Sequence, residues 1–116
     1  MRRDDDYIRQ LLLDIEASDE LYFLAGLTMS MAAEEQKKHQ HAELMCDVGF
    51  LAAVNDGVYR MTNHGHDYLA VIRNETIWAK TKKGASKIGG ASLGIMKDIA
   101  VAYVKQEASD RLGLEL

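Results

Sequence analysis

The chain contains no proline and a single cysteine. Without proline no helix is forced to break, which suits a helix-rich chain with short connections. The lone Cys46 excludes an internal disulfide and suits a reducing cytoplasm. It is read as a small core residue rather than a nucleophile. No apolar run approaches the roughly 20 residues that span a bilayer, so no membrane partner is expected. The opening Met1-Arg2-Arg3-Asp4-Asp5-Asp6 lacks the apolar core of a signal peptide, and a cytoplasmic location is expected. Two catalytic signatures are also missing: a phosphate-cradling glycine motif before Lys-Ser or Lys-Thr, and a nucleophile elbow. No catalytic residue, no cofactor and no enzymatic activity are therefore expected.

What is present fits one modest core in 116 residues. Apolar residues make up 47% and charged residues 28%, the balance of a soluble globular protein. The net charge of −4 hides an asymmetry. Residues 1–72 carry six basic and thirteen acidic side chains, whereas residues 73–116 carry eight basic and five acidic. Between Ile77 and Lys97 stand five lysines and no acid. A nucleic-acid footprint is expected in that half.

The segment 42–69, AELMCDVGFLAAVNDGVYRMTNHGHDYL, is the most ordered signal. Leu44 and Met45 belong to an apolar helical face, and Gly49 falls where a helix ends in a left-handed residue. Residues 50–54 form a short apolar run fit for a buried strand. Asn55-Asp56-Gly57 is hairpin chemistry, and residues 58–62 rise as the return strand. Thr62 or Asn63 then caps another helix, with Asp67 near its positive end. Helix, hairpin, helix is the outline of a winged helix.

Around this segment the spacing predicts a first helix over 4–17, capped by its aspartates, with Ile8, Leu11, Leu12 and Ile15 on one face. Residues 21–27 read as strand or helix by periodicity, and the winged-helix order favours strand. Thr28 or Ser30 caps a second helix to Asp47, with Ala33, Ala42, Met45 and Cys46 on its inner side. No glycine or proline marks a turn within it, although a winged helix usually has two helices there. A third helix is expected over 64–83, with Tyr68, Leu69, Ile72, Thr76 and Trp78 near its apolar side. Ser92 caps a last helix to Leu112, whose apolar face is broad enough to complete the core or to form a homodimer. The expected division is a winged-helix domain over 1–83, a glycine- and lysine-containing linker over 84–91, and a C-terminal helix over 92–116. The fold class is thus α+β: a winged helix with a small hairpin wing and a C-terminal helical extension.

Several separated segments then resemble a known family. They are Arg3-Asp4-Asp5-Asp6-Tyr7-Ile8-Arg9, the His41-to-Phe50 segment HAELMCDVGF, Tyr59-Arg60-Met61-Thr62 and Gly65-His66-Asp67-Tyr68-Leu69. Ile72-Arg73-Asn74-Glu75-Thr76-Ile77-Trp78 and Gly89-Gly90-Ala91-Ser92-Leu93 complete the set. Together they resemble domain of unknown function 2513, a family of small bacterial and prophage proteins. The resemblance implies a winged-helix-like fold and a phage or mobile-element setting. It implies no activity and no catalytic positions.

The candidate recognition helix, 30–47, offers Gln36, Lys37, Lys38, His39 and Gln40 to phosphates or base edges. Glu34, Glu35, Glu43 and Asp47 outnumber its lysines and repel a phosphate backbone. The wing tip is acidic, and Arg60, the hairpin's one base, either reaches a phosphate or pairs with a carboxylate. Lys80, Lys82, Lys83 and Lys87 are the remaining candidates. Trp78 reads as a buried seam residue more readily than as a stacking platform. His39-x-His41 on a helix points its rings in different directions, and His64-x-His66 lies at a helix start, so no metal is expected. Two functions follow. One is a DNA-binding regulator. The other is a module that binds a host or phage protein through its acidic surface, for example as an inhibitor of a defence complex.

Overall fold

The computed structural model describes residues 1–26, 28, 29 and 31–115. It is a mixed α+β architecture of five helices and a small three-stranded antiparallel sheet. The chain divides into two compact units, Met1–Leu69 and Ala70–Leu116, with the boundary inside the third helix.

In the first unit, helix α1 spans Asp5–Ala17. The Asp4 carboxylate accepts from the Tyr7 N–H at 3.0 Å, satisfying one of the N–H groups a helix start leaves unpaired. Asp5 and Asp6 favour the same positive end, and Ile8, Leu11 and Leu12 are buried at helical spacing. Strand β1 is short, Phe23–Leu24, and pairs antiparallel with β3 through Phe23↔Tyr59 and Leu24↔Val58. The strand expected within 21–27 thus exists over two residues, and Leu27 lies outside the described residues.

Helix α2 spans Ala33–Asp47 without a break, where the missing turn signal alone leaves open either a shortened or absent first helix or an unmarked break. Its start differs from expectation. Ala32 occupies the cap position and offers no side-chain acceptor. Thr28 lies five residues before Ala33, too far back along the chain for the usual capping bond, and Ser30 lies outside the described residues. The inner side differs too. His41, Ala42 and Met45 are buried, whereas Ala33 is exposed and Cys46 is half-buried. The helix ends as the glycine predicts: Gly49 has φ +81°, its N–H donates to Cys46 O, and the Phe50 N–H donates to Met45 O.

Strands β2 (Leu51–Asn55) and β3 (Val58–Met61) form the hairpin, with Gly57 at φ +67° in the turn. The register shifts between Ala53 and Asn55, a bulge at Val54. The sheet order is β1-β3-β2. Helix α3, Asn63–Ile72, follows. Thr62 is its cap: the hydroxyl accepts from the Gly65 N–H at 3.1 Å and donates to Gly49 O. The core of this unit includes Phe50 stacked on Tyr68, ring centres 4.7 Å apart.

The expected helix over 64–83 is in fact two. Helix α3 stops at Ile72 and α4 begins at Glu75, spanning Glu75–Lys87. Asn74 makes the break by turning its carboxamide oxygen to the Ile77 N–H at 3.0 Å. The expected linker also starts later, because Gly84 to Lys87 are helical. A Cβ at Gly84 would stand 3.3 Å from side-chain atoms of Ile99 and Tyr103, so this glycine serves helix packing. Gly89 and Gly90 close α4 with N–H bonds to Ser86 O and Ala85 O. Helix α5, Leu93–Leu112, is capped by Ser92 as expected and ends at Gly113, φ +67°. Helices α4 and α5 pack together and bury Ile77, Trp78, Thr81, Ala85, Leu93, Met96 and Ala100. Thr76 is exposed, contrary to the expected apolar side, and Thr81 takes the inward place with its hydroxyl on Ile77 O. No described helix is long and apolar enough to cross a membrane.

Candidate nucleic-acid interface

The candidate residues fall on two surfaces, one in each unit. On α2 the fold holds the cations itself. Lys37 Nζ lies 3.0 Å from the Asp4 carboxylate and 4.4 Å from the centre of the Tyr7 ring. The Tyr7 N–H and Lys37 hold the Asp4 carboxyl below its ordinary value, and the same bond raises Lys37. Lys38 Nζ sits 4.8 Å over the Phe23 ring. His39 places Nδ1 2.7 Å from Ala25 O, tying α2 to the segment after β1. Gln36 is exposed, with its amide 3.3 Å from Met31 O, and Gln40 is exposed.

Acids occupy the rest of that helix's surface. Glu34, Glu35, Glu43 and Asp47 are all exposed. Glu43 accepts from the Tyr59 hydroxyl at 2.6 Å. Burial, then this bond, pushes the Tyr59 phenol well above its usual range. Arg60 is exposed on β3 and has no ion pair among the described residues. It lines a groove with Asp14 and Glu20 without reaching either.

The histidine that matters to the fold is His41, which the residue pattern weighed only as one half of a His-x-His pair. It is fully buried. Its Nε2 accepts from the Asp4 N–H at 2.9 Å, and its Nδ1 donates to Lys37 O at 2.8 Å. The Tyr7 ring meets it edge-on at 4.9 Å. A backbone N–H can only donate and a carbonyl only accept, so the hydrogen is assigned to Nδ1. His41 is therefore a structural bracket between α2 and the start of α1. Among the described residues no group of three His, Cys, Asp or Glu side chains could hold a metal ion.

On α4 the pattern is different. Lys80, Lys83 and Lys87 are spaced three and four apart, which sets them on one helical face. All three are exposed, and the buried stripe of Ile77, Trp78, Thr81 and Ala85 takes the opposite side. None of the three has an ion-pair partner among the described residues. Lys82 stands apart, 5.7 Å from the centre of the Trp78 ring. Trp78 itself is buried. Like charges at this spacing cost a helix a few tenths of a kcal/mol, so the stripe does not stabilise the helix that carries it.

No curated protein and no solved structure matches the chain. The sequence pattern of one family does, over residues 2–92, and by that match the chain belongs to the family described as Hypothetical protein (DUF2513).

Proposed function

We propose that the chain is a phage- or prophage-type winged-helix regulator that holds duplex DNA by its backbone through Lys80, Lys83 and Lys87. The observation that carries this reading is the unpaired lysine face of α4. The order of α1, β1, α2 and the β2–β3 hairpin supports a winged helix. The unbroken α2 departs from the usual helix pair. That helix is a poor reader of DNA, because Lys37, Lys38 and His39 are engaged within the unit and carboxylates cover its surface.

Fluorescence anisotropy on mixed-sequence duplex DNA tests the proposal. Three phosphate contacts imply a slope of about −3 in log affinity against log salt. The triple variant Lys80→Gln, Lys83→Gln, Lys87→Gln should lose most of the binding and flatten that slope. Absence of binding at about 50 mM salt sinks the reading.

A second reading is favoured by a separate observation, the exposed carboxylates Glu34, Glu35, Glu43 and Asp47 on one helix. In that reading the first unit engages a basic surface on a host or phage protein, as an inhibitor of a defence complex would. Recovery of such a protein by the wild type, and its loss with Glu34→Lys and Glu35→Lys, would support it.

A further inference from the structure

Within the second unit, the side of α5 that is buried at Leu93, Met96 and Ala100 continues toward the C-terminus as Val104, Glu107, Ala108 and Arg111. There it borders a mostly apolar groove of about 410 Å³ against the N-terminal end of α4, where Ile77 contributes to the wall. Leu112 stands at the mouth, 67% exposed, and Leu114 beyond it is 49% exposed. Glu107 and Arg111 pair across one turn at 2.6 Å, with the arginine side chain 78% exposed.

We infer that this groove is filled by α5 of a second copy of the chain, crossing antiparallel in a two-fold dimer. The surface is complementary to itself in charge. A two-fold axis at the level of Ser109 sets Glu107 of each copy beside Arg111 of the second copy. Ala108, next to that axis, is small enough for the helices to approach closely. A two-fold interface needs this reciprocity, each residue contacting its counterpart's neighbour in both directions. The inference does not rest on nucleic-acid binding, and either can fail alone.

Sedimentation velocity of the full chain from about 5 to about 200 µM reads the outcome. The wild type should sediment with twice the 13.0 kDa chain mass at the upper end. Glu107→Arg or Arg111→Glu alone should weaken the dimer about tenfold, since each leaves two like-charged contacts. An equimolar mixture of these two variants should restore it as a heterodimer. Ala108→Arg should abolish it. Leu112→Asp, at an exposed site, should weaken it and keeps the test open should Ala108→Arg fail to fold. A wild type that stays monomeric throughout overturns the inference, as does a dimer indifferent to Leu112→Asp or a mixture that does not recover. A monomer whose groove accepts a different protein or helical peptide overturns it as well.

Discussion

The backbone N–H of Asp4 donates to Nε2 of the buried His41, 37 residues further along the chain. The same aspartate caps α1 and pairs with Lys37, so one residue joins the start of one helix to the middle of another. His41→Ala removes both ring bonds and opens a cavity in the first unit. It should cost about 2–4 kcal/mol in urea unfolding. His41→Phe fills the space and leaves the Asp4 N–H unpaired, so it should remain destabilised by about 1–3 kcal/mol. A His41→Phe variant as stable as the wild type would remove the bracket from the account.

The Asp4 carboxyl also carries a pH dependence. Its hydrogen bonds lower it from an ordinary 3.8, so its folded-state value is depressed. Stability from this group is fully present above the unfolded value and is lost as pH falls through the folded one. Asp4→Asn keeps a capping oxygen and removes the charge. The stability gap between wild type and variant should be constant from neutral pH to about 5, then shrink toward pH 2. A gap that persists unchanged at pH 2 would contradict the assignment.

Gly57 and Gly49 make a matched pair. Both have positive φ, but a Cβ at Gly57 would stand 2.5 Å from the Cα of Gly26, whereas at Gly49 nothing lies within 4 Å. Gly49→Ala should cost only the left-handed strain, about 1–2 kcal/mol. Gly57→Ala adds a backbone collision and should cost clearly more, with thermal unfolding as the readout. Equal losses would mean that the approach of the hairpin tip to Gly26 carries no weight.

Gly84 separates propensity from packing. Alanine there gains up to about 1 kcal/mol of helix propensity and must ease Ile99 or Tyr103 aside by a few tenths of an ångström. Near neutrality is expected. Gly84→Leu has no such allowance and should destabilise the second unit by about 1–3 kcal/mol, read by circular dichroism.

Local chemistry written in adjacent residues was legible. Asp4, Ser92 and Gly49 ended or began helices as their types require, and Asn55-Asp56-Gly57 turned a hairpin. Asn74 followed by Glu75 was an equally good cap signal, hidden because the apolar pattern ran on through it to Trp78. Gly84 looked like a linker glycine because its use depends on Ile99 and Tyr103, which lie a turn and a helix away. The same holds for the candidate interface. Sequence could count the lysines, but which were already engaged depended on Asp4, Tyr7 and Phe23 arriving from distant segments. Helical spacing alone then sorted Lys80, Lys83 and Lys87 from Lys82.

Helix α2 has Ala32 at its cap position with no side-chain acceptor there, and the carboxylates of Glu34 and Glu35 in its first turn favour its positive end. Its other end is locked by the paired Gly49 and Phe50 bonds. Amide protons along this helix should therefore exchange with solvent as a gradient, fastest near Ala33 and slowest near Met45. The turn that bears Glu34 and Glu35 would open first, so any partner that reads those two carboxylates must also hold that turn closed.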